Sequence, residues 1–405
     1  MSPRARKLGF LSLLYFCQGL PGGFLAVALP VILLRSGADL KTVGFAGLLS
    51  LPWMAKVLWA PLVDQVGHRG FGERKSWLVP AQLGMLAVTL TLAGIDPVGS
   101  LVTVAALFFV LNVFAATQDI AVDGIAVDLL TDDELGPGNS AAVSGFKLGN
   151  LMGGGVLLAL MGWIGWSGDF YVMAACIGGA LLVVLRWKEP PRAQRPPAGW
   201  LAVLRRLAQS LRGLGPGFMG FIVFAKFGET LGGSMIKPAL VRADFSDTMI
   251  GSIDVTIGGL STIGGAVLAG IYCYRRGWRP VLAVAAAGQG LTLIGLAVVS
   301  YGTLTPWTFL PFSVLESAFG GAVGVAVFSL AMGGRDRAVG ASQFTALQVL
   351  YMSGASLAYP LGGIVADAIG LELVMLAGGV LTLCLAALCL RWARRFDLPT
   401  ASTGA

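Results

Sequence analysis

Apolar runs long enough to cross a bilayer follow one another almost from end to end of this chain, and no other feature limits its fold so strongly. A membrane span needs about 20 consecutive, mostly apolar residues. Twelve such runs can be marked off, at approximately 8–34, 40–63, 77–95, 99–128, 138–163, 168–187, 215–240, 246–271, 279–300, 305–332, 340–365 and 368–391. Charged residues make up 12% of the 405, against roughly a quarter in a soluble domain. Strand-length alternation is absent, which argues against an outer-membrane barrel. The expected fold is an all-α polytopic membrane protein. The first dozen residues resemble a signal peptide, but the apolar run continues to Leu34, too long for one, and reads as the first span.

The basic residues set the topology. Of 28 Lys and Arg, about 21 fall in segments that are cytoplasmic if the N-terminus is inside, and about 4 in external ones. Both termini are therefore expected in the cytoplasm. The formal charge of +7 is spread over these short loops, so it reads as a topology signal and not as a nucleic-acid surface. Between the sixth and seventh spans lies a Pro- and Arg-rich segment with a short amphipathic helix from about Trp200 to Leu211. Four parts are expected: an N-terminal six-helix bundle at 1–187, a cytoplasmic linker at 188–214, a C-terminal six-helix bundle at 215–395 and a short tail at 396–405. Short basic segments follow the second span of each half, DQVGHRGFGERKS and YCYRRGWRP. Two six-span halves of this kind are the footprint of a major facilitator transporter.

Other classes fit poorly. No GxxxxGK[ST] motif is present for ATP binding. Cys17, Cys176, Cys273, Cys384 and Cys389 lie in apolar runs without metal-ligand spacing and read as buried thiols. A membrane-embedded acyltransferase would need a nucleophile or a histidine centre, and the single histidine, His68, falls in a loop. No enzyme activity, cofactor or metal is expected, and the implied partners are the bilayer, a small solute and protons, with the chain acting as a monomer.

Several charges nevertheless fall inside spans. Asp119 precedes Asp128 by nine residues and Lys56 precedes Asp64 by eight, placing both about 12–14 Å deep at 1.5 Å per residue; Lys147 lies at a similar depth. An isolated charge there costs at least a few kcal/mol, so such groups pair or face a wet cavity. Asp119 and Asp123 are four apart and share a helix face. Lys56, Asp119, Asp123 and Lys147, with the amides Gln18 and Gln118, make one candidate solute network; a buried brace that only fixes helix packing is the rival reading. Asp128, nearer the interface, reads as solvated. In the second half, Lys226 and Glu229 share a face, Glu316 is mid-span and Asp254 lies in the outer half of span 8. These four are candidates for proton coupling, since burial raises a carboxylate's pKa towards neutrality; a satisfied Lys226–Glu229 pair without proton traffic is the alternative. Gly145, Gly149 and Gly153 form GxxxGxxxG, a close helix contact.

Two resemblances follow from these residues. Leu62, Asp64, Gly67 and Arg69 match the GxLxDxxGxR loop of the major facilitators, with Ala60 in place of the first Gly. By that resemblance Asp64, Gly67, Arg69, Arg74 and Lys75 form a gating loop. The run LPWMAKVLWAPLVDQ, the Gln118-Asp119 pair with Asp123, and ELGPGNSAAVSGFKLGNLMGGG resemble the AmpG-like branch of that superfamily. Within the branch, the compact length, LYFCQGLPGGFLAVALPVILLRSG and AKFGETLGGSMIKPAL look closest to siderophore importers of the RhtX/FptX type, with AmpG muropeptide permeases next. The resemblance implies a proton-coupled importer of the bacterial inner membrane, carrying a siderophore, free or ferric, or alternatively an anhydro-muropeptide.

Overall fold

The computed structural model describes residues 2–35, 47–96, 100–192, 199–246, 249, 252–302 and 304–392. Helices fall along each of the predicted spans, and the described residues contain no β-strand beyond one isolated bridge, His68 to Gly72. Among the described residues, eight helical segments are long and apolar enough to cross a membrane.

The chain divides into two compact units. The first comprises 1–129, 144–210 and 336–346, the second 130–143, 211–335 and 347–405. In the first unit, α1 (Pro3–Gly23) passes through a π-turn at Phe24–Ala28 into α2 (Leu29–Arg35). The second span is broken into α3 (Leu51–Ala55) and α4 (Ala60–Gln65), after which come α5 (Lys75–Ala93) and α6 (Leu101–Leu129). Next are α7 (Leu135–Asn150), whose first turns belong to the second unit, a second π-turn at Leu151–Val156, and α8 (Leu157–Arg186), bent at Gly165. Aromatic packing of Phe24 with Phe108, Trp166 and Phe170 closes the core of this unit.

The GxxxGxxxG stripe, which runs from α7 into the π-turn after it, lies against α1. A Cβ at Gly145, Gly149 or Gly153 would collide with the carbonyl oxygens of Ser12, Phe16 and Leu20, so the two main chains touch without side chains between them. Gly19 and Gly23 return the contact from α1, facing Phe146 and Asn150.

Helix α9 (Trp200–Gly233) bends at Gly215, where φ is +79°, just before Pro216. The second unit continues with α10 (Ile236–Arg242), a π-turn at Ser252–Ile257, α11 (Gly258–Arg276) and α12 (Trp278–Ser300). Then follow α13 (Pro306–Gly333), α14 (Gly340–Ile369), whose first turns belong to the first unit, and α15 (Leu371–Trp392).

Candidate functional site

Two prolines shape the second span. Proline removes a backbone donor and crowds the carbonyl four residues back, so a helix rarely runs through one unbroken. Pro52 and Pro61 each open a helical piece, and between them Lys56–Leu58 winds as a 3₁₀ turn. The interruption presents Lys56 to α6, where it forms an ion pair with Asp119. Both side chains are almost wholly buried, at 5% and 7% exposure. The pair is bracketed by neutral ties between the same elements. Trp53 Nε1 donates to Asn112 Oδ1 at 2.8 Å, and Trp59 Nε1 donates to Thr117 Oγ1 at 3.2 Å. The Lys56 ammonium also lies 5.6 Å from the centre of the Trp53 ring, a cation–π distance. Lys56, one of the two cations expected near Asp119, pairs with it; Lys147 is half-buried on α7.

One turn further along α6, Asp123 is fully buried and accepts a 2.5 Å hydrogen bond from the Tyr15 hydroxyl of α1. Gln118 donates to the Leu14 carbonyl at 3.2 Å. Gln18 is fully buried, and neither polar atom of its side chain has a hydrogen-bond partner among the described residues. The α1–α6 seam therefore carries a carboxylate, a phenol and two amides in an otherwise apolar bundle.

The loop at Asp64 forms a second charged cluster. Asp64 forms an ion pair with Arg74, 2.7 Å from Nη2, and accepts hydrogen bonds from the Ser342 backbone N–H and hydroxyl at 2.8 and 2.5 Å. A carboxylate thus sits at the N-terminus of α14, where the helix dipole favours it. Arg192 reaches Asp64 at 3.4 Å and Glu73 at 3.4 Å. Asp128, expected to be solvated, is instead only 13% exposed and lies 3.3 Å from Arg74 and 3.6 Å from Arg192. The physical reason is Gly124: a Cβ there would occupy the place of the Arg74 guanidinium, which passes α6 to reach both carboxylates. Burial works against the charge on Arg74, but Asp64 and Asp128 outweigh it and hold its pKa above the ordinary arginine value. Gly67 is required because the loop closes on itself, leaving 2.7 Å between a would-be Cβ and the Glu73 main chain. Lys75 donates to the Leu185 and Trp187 carbonyls at 2.9 Å, closing the C-terminus of α8. Arg69, grouped with these by the motif, stays exposed and outside the cluster.

In the second unit, Lys226 Nζ lies 2.6 and 2.5 Å from the two carboxylate oxygens of Glu229. Their side chains are 23% and 14% exposed. The Tyr351 ring lies 5.9 Å from the ammonium and packs edge-on against Phe328. Glu316 is within electrostatic reach of Lys226 and accepts from Gln289 Nε2 at 3.4 Å. The side chain of Asp254 lies outside the described residues; its backbone is in the π-turn Ser252–Ile257.

Tyr15, Trp53, Asn112, Arg192, Ser342, Gln289 and Tyr351 were not singled out from the sequence. Tyr15, Asn112 and Gln289 carry one weak signal, a hydrogen-bonding group inside an apolar run. Arg192 and Ser342 carry none, since a basic linker residue and a serine at a helix start are commonplace.

Comparison with known proteins supplies the frame. The family model described as "Acetyl-coenzyme A transporter 1" matches residues 7–163. The chain is 29% identical over 375 residues to the anhydromuropeptide permease of Escherichia coli K12, covering 90% of this chain and 75% of that protein. It is 25% identical over 298 residues to the putative transporter AmpG 4 of Rickettsia conorii, covering 71% and 72%. Among solved structures, the fucose:proton symporter FucP of E. coli superposes with a TM-score of 0.70 at 14% identity, over 96% of this chain and 99% of that one. A bacterial homologue of the iron transporter ferroportin gives 0.69 at 15% identity, over 96% and 99%. These likenesses, with the apolar helices and their order, show a multi-pass membrane protein built on the major facilitator fold.

Proposed function

We propose that this chain is a secondary transporter of the bacterial inner membrane, importing a sugar-peptide of the anhydro-muropeptide class by alternating access and driven by protons. The Lys56–Asp119 pair in the interrupted second span carries the reading. Charges and irregular backbone at membrane depth are tolerated where they line a solute path or are buried in protein. A solute with hydroxyls, amides and carboxylates can exchange hydrogen bonds with such a pair and with Gln18, Gln118, Asp123, Tyr15 and Lys147. The named relatives favour this solute over the siderophore to which the sequence resemblance gave first place.

Lys226, Glu229 and Glu316 take the proton in this scheme, with Tyr351 holding the lysine and Asp254 a further acid of the same half. Asp64, Arg74, Asp128, Arg192 and Ser342 act as a latch that holds one state until solute binding releases it. Both termini and the linker lie in the cytoplasm, as the basic residues indicate.

Proteoliposomes with an imposed pH gradient test the proposal. Labelled anhydro-muropeptide should accumulate above its equilibrium level and drain when an uncoupler is added. Accumulation of a ferric siderophore in its place would overturn the choice of solute. Movement of neither under any gradient would overturn the transporter reading.

A further inference from the structure

The first part of α9, from Trp200 to the bend at Gly215, precedes the seventh predicted span and contains none of the candidate solute or proton groups. Its sequence, WLAVLRRLAQSLRGLG, holds three arginines and no acidic residue. Val203 and Leu207, four apart, are buried against the protein. The opposite side is open: Leu201 is 66% exposed, Trp200 40%, and Arg205 and Arg212 are exposed as well. Leu201, Arg205, Ala208 and Arg212 follow the i, i+4, i+7, i+11 spacing that lines one helix face. Gly199 and Gly215 bound the segment with φ of +89° and +79°, which only glycine adopts cheaply, so the helix leaves the chain direction at both ends. It then leads straight into the apolar run that starts at Pro216.

Two tethers tie this helix to the latch. The Gln65 side-chain oxygen, in the orientation that satisfies it, accepts from Gly199 N at 3.2 Å and Trp200 N at 3.1 Å. Arg206 grips Asp336 with Nε at 2.7 Å and Nη2 at 3.1 Å. One tether therefore lies next to Asp64 and the other six residues before Ser342, on the two sides of the Asp64–Ser342 contact.

We propose that this helix is a docking surface for anionic phospholipid headgroups, with Arg205 and Arg212 taking the phosphates and Trp200 and Leu201 entering the headgroup layer. The proposal does not depend on the solute. A basic stripe beside exposed apolar side chains, continuous with a membrane-crossing segment, is complementary in charge and polarity to an anionic bilayer surface. A basic residue near such a surface contributes roughly fivefold in binding, so two together give about 25-fold. The docked helix steadies the tethers at Gln65 and Arg206, so the lipid composition of the leaflet acts on the latch.

Hydrogen exchange on the full-length protein in nanodiscs provides the test. Amides of 200–214 should exchange more slowly in phosphatidylcholine mixed with phosphatidylglycerol than in phosphatidylcholine alone, and high salt should erase the difference. Arg205→Gln combined with Arg212→Gln should abolish the slowing, whereas Arg206→Gln, which cuts a tether and not the docking face, should keep it. Equal exchange in the two lipids would overturn the proposal. So would slowing that survives in the double variant, because the lipid would then act elsewhere. Protection that appears only on adding a soluble acidic peptide would also overturn it, assigning the face to a cytosolic partner.

Discussion

Among the described residues, a lysine–carboxylate pair lies within each unit, and the two are built differently. Lys56 and Asp119 come from separate elements, 63 residues apart, and are nearly sealed from solvent. Lys226 and Glu229 sit three apart on one helix and are partly open. The first pair ties two helices together, so it cannot part without moving backbone or leaving a charge stranded in low dielectric. The second can part by rotation of side chains alone. In the proposed mechanism the first kind of pair serves a site that responds to solute by shifting helices, and the second kind a site that trades a proton.

The largest effect is expected from Asp119→Asn, which strands Lys56. Removing one member of a buried pair costs about 3–5 kcal/mol, so the thermal midpoint in detergent should fall steeply and uptake should cease. Adding Lys56→Met should restore stability. If uptake returns with it, the pair is only a brace and the contrast between the two pairs collapses.

A smaller effect on stability, about 1 kcal/mol or less, is expected from Glu229→Gln, because Lys226 keeps access to solvent and to Glu316. Its signature lies in coupling: uphill accumulation should fail while counterflow down a solute gradient persists. Uphill accumulation at the unmodified rate would remove Glu229 from the proton path.

The smallest effects come from the ring beneath Lys226. Tyr351→Phe keeps the ring face and should alter the uptake rate by less than about twofold, whereas Tyr351→Leu loses a cation–π contact of about 0.5–1 kcal/mol, roughly two- to fivefold. Equal losses in both variants would show that the Tyr351 hydroxyl matters and not the ring.

Pattern and depth made much of this legible in advance. Apolar runs located the helices, burial depth brought Lys56 and Asp119 together, and i, i+3 spacing paired Lys226 with Glu229. Contacts between distant stretches were hidden. Tyr15 and Asp123 are 108 residues apart, and Asp64 and Ser342 are 278 apart. The loop motif marks a basic residue type at fixed spacing, yet which arginine folds inward depends on the space left by Gly124 on another helix. That space admits Arg74, while Arg192 reaches Asp64 from the linker and Arg69 faces outward.

The glycine contact between α1 and α7 has a mechanical consequence. Where side chains separate two helices, rotamer changes supply slack, and the helices can roll or slide by small amounts. Here the carbonyl oxygens of Ser12, Phe16 and Leu20 fill the space where a side chain at Gly145, Gly149 or Gly153 would begin, so there is little slack to take up. The two helices are therefore expected to move as one stiff pair, and the backbone irregularities nearest to them are the π-turns that follow each, Phe24–Ala28 and Leu151–Val156.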